Sequence, residues 1–323
     1  MFRIIFCVFI LLVACSETSV QKSQNKPNIL LLYIDDLRPE LFSYGDSKIK
    51  SPNINLLAEK GIQFNNAYCN VPVCGASRAS MLTGMLPTKN RFLDYNTFVE
   101  KETPEAVTIP QLFKKNGYTT ISNGKIYHHL DDRTEDWDEV WRPYAFDEND
   151  KNLAPTDYWQ SLWKDYKNPI NASIYKKTDK GPAYEKPDVS DSTYIDGLMT
   201  EKVIRDIKRL KKENKPFLLT AGFINPHLPF NAPKKYWDQY QRNEIKQPQN
   251  YNQIPIDAPK MSISNSGELR SYNGIPKNGP VSDSLAISLI HGYYATISYT
   301  DALIGKILVT LEDEGLDKNT III

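Results

Sequence analysis

The run NILLLYIDD (Asn28–Asp36) constrains the fold more than any other stretch of this chain. Its apolar residues follow one another without alternation from Ile29 to Ile34, which suits a strand buried on both faces. Such a strand needs helices above and below it, as in a parallel sheet built from crossover connections. The rest of the chain supplies them. NINLLAEK lies between Pro52 and Gly61, a short helix with a proline start and glycine stop. IPQLFKKNGYTTISNGK reads as helix, Asn-Gly stop, strand and turn. In YIDGLMTEKVIRDIKRLKKEN the apolar residues Ile195, Leu198, Met199, Val203, Ile207 and Leu210 fall at helical spacing, and the strand PFLLTAGFI follows. A last helix, roughly Ser282 to Glu314, leads through Gly315 into NTIII. The expected class is α/β, a mainly parallel central sheet flanked by helices. Ending on a buried strand, the chain reads as C-terminally truncated.

Two stretches break this rhythm. Residues 131–190 are rich in Trp, Tyr, Asp and Pro, and 240–280 in Asn, Gln, Pro and Ser; both read as long insertions on the rim of the sheet. Trp137, Trp141, Trp159 and Trp163 would either stack on sugar rings or pack the insertion down. The sequon Asn171-Ala172-Ser173 carries little weight by itself. There is no internal repeat.

With 323 residues and 41% hydrophobic content the chain can build one large core or two smaller ones, and its 39 basic and 39 acidic side chains balance. Zero net charge argues against a nucleic-acid partner. MFRIIFCVFILLVAC has a basic residue, Arg3, and an apolar run too short to span a bilayer, the pattern of a signal peptide. Leu12-Val13-Ala14-Cys15 resembles a bacterial lipobox, so residues 1–15 read as a lipoprotein signal with Cys15 as the lipidation site. The alternative is an ordinary signal peptide with an incidental cysteine. Residues 16–26 would be a tether, and the expected location is the periplasm, outer membrane or cell surface, with a membrane contact through the lipid on Cys15. Of the four cysteines, Cys7 is removed and Cys15 is an anchor. Cys69 and Cys74 remain, either as a disulfide across a short loop or with one of them chemically special.

The polar clusters fall where α/β folds keep their sites, at the carboxyl ends of strands. Asp35 and Asp36 end the first strand; adjacent buried carboxylates repel and call for a cation, and oxygen ligands favour Ca²⁺ or Mg²⁺. A solvated loop or helix cap is the plainer reading of the pair. Lys125 and His128 lie in GKIYHH after a second strand, and His227 in NPHLPF after a third; Lys and His⁺ bind anionic oxygens. His129 and His291 keep a structural reading. Cys74 opens VCGASRASMLTG, where a helix N-terminus would lower a thiol's pKa. A Cys-x5-Arg phosphatase loop is excluded, because Ser80 stands where the arginine must be. Nothing local supports a papain-like pairing with His227.

At these residues the sequence resembles the type I sulfatases of the alkaline phosphatase superfamily. Their signature, Cys-x-Pro-Ser-Arg followed by Leu-Thr-Gly, stands here as Cys74-Gly75-Ala76-Ser77-Arg78 and Leu82-Thr83-Gly84. The resemblance continues through PNILLLYIDDLRPELFSYG, SPNINLLAEKGIQFNNAY, GYTTISNGKIYHH, INPHLPF and YYATISYTDALIGKIL. Lys-x-x-His and PHLPF resemble the iduronate-2-sulfatase branch in particular. On this resemblance residues 27–323 are the N-terminal part of a sulfatase catalytic domain, a sulfuric ester hydrolase acting on a sulfated carbohydrate.

The resemblance also implies site roles. Cys74 is oxidised to Cα-formylglycine by a maturation enzyme, for which small neighbours and Arg78 form the recognition signal, and the hydrated aldehyde is the nucleophile. Ala76 in place of proline leaves open which maturation system acts. Asp35, Asp36 and residue 74 ligate one divalent cation, Ca²⁺. Arg78 holds the hydrate's oxygen, Lys125 screens sulfate, His128 takes a proton from the hydrate and His227 protonates the leaving oxygen. The family's remaining acidic ligands and a further lysine would follow the last strand. Two competing readings are a phosphodiesterase or phosphonate hydrolase of the same superfamily, and an inactive glycan-binding surface lipoprotein.

Overall fold

In the computed structural model residues 26–142, 164–251 and 253–323 are described. The expectations for Cys7, Cys15, the tether up to residue 25, Trp159 and Trp163 lie outside the described residues. The expected buried strand is β1 (Asn28–Ile34). With β2 (Thr119–Gly124), β3 (Glu139–Trp141), β5 (Phe217–Phe223) and β7 (Thr320–Ile322) it forms a sheet of order β3-β2-β5-β1-β7. Every pairing is parallel: Ile29 lies opposite Leu218 and Ile321, and Ile121 opposite Leu219 and Glu139.

Both faces of β1 are covered, as its unbroken apolar run requires. Leu30 joins Leu219, Ala221 and Phe223 in a cluster with Met199, Val203 and Ile207 of α6 (Ile195–Glu213) and Tyr299, Leu303 and Ile307 of α8 (Asp283–Asp313). Ile29 and Leu218 point the other way, onto Ala76, Ala79 and Leu82 of α2 (Cys74–Thr83), with Ile126 and Trp137. The result is helix, sheet, helix. Burying a side chain of this size stabilises by about 1.5–3 kcal/mol, so alternate strand residues drive the two helical layers onto the sheet.

Local signals set the ends of these elements. α1 (Pro52–Lys60) starts on its proline, and its first amides are met from α8, where Asp301 Oδ1 accepts from Ile54 N at 2.8 Å. Asp301 Oδ2 also accepts from Asn53 Nδ2 at 2.8 Å. α3 (Val99–Glu102) is capped in the same manner by Asp132, which accepts from Val99 N at 2.9 Å and Glu100 N at 3.0 Å. α4 (Ile109–Lys115) is capped by Thr108, whose Oγ1 accepts from Gln111 N at 3.3 Å. Gly117, at φ +83°, turns the chain into β2.

One expectation fails here. Residues 131–190 are not wholly an insertion on the rim, because Trp137 is buried in the core and Glu139–Trp141 form edge strand β3. A three-residue strand between Asp138 and Arg142 is too short to show a period. The described residues of that stretch also hold α5 (Pro169–Thr178) and β4 (Tyr184–Glu185). β4 pairs in parallel with β6 (Phe230–Asn231), ahead of α7 (Lys234–Trp237).

Candidate functional site

Three adjacent strands, β2, β5 and β1, end on the same side of the sheet, and the predicted residues leave from those ends. Asp35 N donates to Phe223 O at 3.2 Å, and Lys125 N to Gly222 O at 2.9 Å. That second approach depends on glycine. A Cβ on Gly222 would lie 2.2 Å from Lys125 O, and Gly124 sits at φ +71°, a conformation that side chains resist.

Asp35, Lys125 and Arg78 form one buried cluster. Lys125 Nζ lies 2.5 Å from Asp35 Oδ2 and Arg78 Nη2 3.1 Å from Asp35 Oδ1, with side chains at most 6% exposed. Burial on its own would raise the Asp35 carboxyl, but Lys125, Arg78 and His227 outweigh it and hold the group well below the usual carboxylate range. Arg78 Nη1 also donates to Lys125 O at 2.5 Å and Ile126 O at 2.9 Å, and its guanidinium lies over the Tyr33 ring. The guanidinium therefore joins the starts of three segments (35, 78 and 125), which the sequence alone did not reveal.

The pair Asp35-Asp36 divides. Only Asp35 is buried; the Asp36 side chain is 61% exposed, at a residue with φ +57°. The expectation of two buried carboxylates therefore fails. The backbone turns at Asp36 and leaves its side chain exposed, so only one of the two carboxylates has to be compensated in the interior. Tyr293 of α8 fixes the turn: its hydroxyl accepts from Arg38 N and donates to Asp36 O, each at 2.8 Å.

Cys74 is the first residue of α2 and a free thiol, as is exposed Cys69, so the disulfide alternative is not realised. Its Sγ lies 3.2 Å from His128 Nδ1. The helix N-terminus does not make it a thiolate. Burial pushes the thiol up, and Asp35 and Asp36 add to that against Lys125 and Arg78. Burial likewise lowers His128 to about 3, helped by Lys125, His129 and Arg78. A neutral thiol beside a neutral imidazole is a poor cysteine nucleophile. Gly75 has a reason of its own to be small, because a Cβ there would lie 2.5 Å from Tyr95 O and 2.8 Å from Asp94 O. Ala76 is fully buried.

His227 stands on the third loop. Its Nδ1 donates to Leu228 O at 2.7 Å, and Nε2 lies 3.9 Å from Asp36 Oδ2 and 3.6 Å from Glu268 Oε1. Below it, Asp196 of α6 accepts from Ile224 N and Asn225 N, each at 2.9 Å. The structural readings of the other histidines hold: His129 stacks on Phe98, and His291 Nε2 contacts Trp237 O at 2.8 Å. Asp196, Tyr293 and Glu268 escaped the sequence reading. Only Asp196, an acidic residue in the first turn of a helix, carried any local signal, and that signal is shared by every helix dipole.

A hard dication would find carboxylate oxygens on Asp35 and Asp36 and an oxygen at an oxidised residue 74, donors of the right kind. Their number is short. Among the described residues no three His, Cys, Asp or Glu side chains group to hold a metal ion. Two cavities, of 980 Å³ beside Arg242 and Asp283 and of 610 Å³ at the opposite ends of the strands, lie away from these residues.

Buried Asp–Lys–Arg, a cysteine at a helix start and a facing histidine agree with a match of residues 27–323 to the family described as Sulfatase. The chain belongs to the sulfatase family. The iduronate 2-sulfatase of Mus musculus is 34% identical over 310 residues, 91% of this chain and 53% of that protein. The human iduronate 2-sulfatase is 32% identical over 322 residues, 95% of this chain and 55% of its own length. The chain thus spans about half the length of these curated sulfatases. A solved structure in complex with its substrate D-glucosamine-2-N,6-O-disulfate superposes with a TM-score of 0.60 at 20% identity, over 92% of this chain and 64% of the other. At that identity the likeness is one of fold.

Proposed function

We propose that the complete protein hydrolyses sulfate esters on a carbohydrate, with Cys74 converted to Cα-formylglycine. The observation that carries this reading is the 3.2 Å approach of His128 Nδ1 to Cys74 Sγ beside the buried Asp35–Lys125–Arg78 cluster. A thiol this protonated gains nothing as a nucleophile from its position, whereas an oxygen in its place would. The similar iduronate 2-sulfatases support a sulfated sugar, a uronic acid among the candidates.

Asp35, Asp36 and the oxygen at residue 74 would hold the cation, with Ca²⁺ the best match to hard oxygen donors. When bound, it supplies positive charge that offsets the sulfate ester and lowers the pKa of a coordinated hydroxyl. The aldehyde hydrate supplies two hydroxyls on one carbon, which no unmodified side chain offers. His128 is neutral across the physiological range and placed to accept a proton at residue 74. Lys125 and Arg78 keep Asp35 ionised and add positive charge beneath the anion. His227, with Nδ1 committed to Leu228 O, presents Nε2 for the leaving oxygen. The N-terminal pattern at Leu12–Cys15 supports export and a lipid anchor, and Cys74–Arg78 supports a maturation enzyme as partner.

Peptide mass spectrometry at residue 74, combined with ion chromatography of sulfate released from sulfated polysaccharides, tests the reading. The expected result is an aldehyde at residue 74 in protein from the native host, and loss of sulfate release in Cys74→Ala. An unmodified cysteine in preparations that still release sulfate overturns it. Turnover of phosphonate monoesters in preference to sulfate esters would transfer the site to the phosphonate hydrolase reading.

A further inference from the structure

Glu268 belongs to none of the roles above, yet its carboxylate lies 3.6 Å from His227 Nε2, the nitrogen assigned to the leaving oxygen. It comes from the polar segment 240–280. The side chain is 52% exposed, and among the described residues no lysine or arginine lies within ion-pair distance of it. Its charge is therefore not offset by a neighbouring fixed cation.

This carboxylate is not on a loose tip. Leu228, next to His227, and Leu269, next to Glu268, pack into the same cluster around buried Ala183, Tyr272 and Ile275. The Arg270 guanidinium fastens the segment on itself, donating to Asn265 O at 2.7 Å, Pro276 O at 2.6 Å and Gly279 O at 2.8 Å. Ser271 N donates to Glu268 O at 2.8 Å, and Asn273 N ties the turn to Gly181 O at 2.8 Å. The same small core thus sets His227 and Glu268 in register.

We propose that Glu268 selects the group next to the sulfate ester: its carboxylate accepts a hydrogen bond from a hydroxyl or amino group on the adjacent sugar carbon, and repels an anionic substituent there. The inference rests on the proposed sulfatase reading, with His227 at the leaving oxygen. An oxygen hydrogen-bonded to His227 Nε2 at about 2.9 Å shares its surroundings with Glu268 Oε1, and a substituent one carbon away falls within reach. A carboxylate only accepts, so a donor is favoured there and a second sulfate or a carboxylate disfavoured. The substrate class that follows is a monosulfated sugar with a free hydroxyl or amine vicinal to the ester.

The test measures kcat and KM of the complete protein and of Glu268→Gln and Glu268→Arg. The substrates are a sulfated monosaccharide with a free vicinal hydroxyl, its vicinal deoxy analogue and its vicinal disulfate. On the hydroxyl substrate Glu268→Gln is expected to raise KM about tenfold with kcat little changed, the size of one lost charge-assisted hydrogen bond. On the deoxy analogue wild type and variant should coincide, and Glu268→Arg should improve kcat/KM on the disulfate. An equal fall in kcat on all three substrates would show that Glu268 merely holds His227, and overturns the proposal. Unchanged kinetics in both variants overturns it as well. Absence of sulfate release from wild-type protein defeats the sulfatase reading itself, and the selection by Glu268 with it.

Discussion

Single residues near the site answer to two demands at once, and Gly75 is the sharpest case. Beside a cysteine that resembles a maturation signal, a small residue needs no further explanation, so the backbone of Asp94 and Tyr95 pressed against it was not legible from the residues alone. A Cβ at 75 would meet Tyr95 O at 2.5 Å, and carbonyls do not yield as a flexible side chain would. Gly75→Ala is therefore expected to cost about 1–3 kcal/mol of folding stability, as overpacking does. Urea denaturation of the two proteins measures it, and a variant within 0.5 kcal/mol of wild type, about the scatter of surface changes, would contradict the packing argument. Other residues were easier to read. Asp35, Lys125 and Arg78 stand out because charged side chains close to apolar strands must find partners when buried. What could not be read is that the three find one another, since 43 and 90 positions separate Asp35 from Arg78 and Lys125.

Elements act on the site through their ends. The continuous apolar runs disclosed β1 and β5, and the helical spacing disclosed α6 and α8, each within a residue or two. Strand β3 stayed hidden because three residues carry no pattern. Hidden too was the service α6 performs for the loop after β5, where Asp196 takes the amides of Ile224 and Asn225 and so aims His227. Burial lifts the Asp196 carboxyl to about 6, against 3.8 for an ordinary aspartate. Between those values the folded chain carries a proton that the unfolded chain has lost, so this group makes stability fall as pH rises through the window. At about 1.4 kcal/mol per unit the effect approaches 3 kcal/mol. Asp196→Asn removes the titration. Its stability relative to wild type is expected to improve steadily from pH 4 to pH 7, as followed by denaturant melts at each pH. A pH-independent difference would show that Asp196 is ionised throughout.

At the scale of the whole molecule, the class was legible and the order of the strands was not. Alternating strands and helices imply a parallel sheet, but only the fold places β5 between β1 and β2 and so brings residues 35, 125 and 227 to one edge. The same arrangement sets how strongly this chain can hold a cation. Asp35 meets Lys125 and Arg78 through both of its oxygens, and Asp36 reaches into solvent. Among the described residues an entering dication must share Asp35 with two fixed positive charges and gains one further carboxylate, Asp36, far from the six to eight oxygens that Ca²⁺ prefers. Sites tuned with a full ligand set reach dissociation constants of about 10⁻³ M or tighter. With Asp35 already engaged by Lys125 and Arg78, this arrangement is expected to fall short of that. Calorimetric titration with CaCl₂ would show weak or undetectable heat, and Asp36→Ala would leave the curve unchanged. Binding tighter than 10⁻⁵ M, abolished in Asp36→Ala, would mean that these residues already complete a cation site without further ligands.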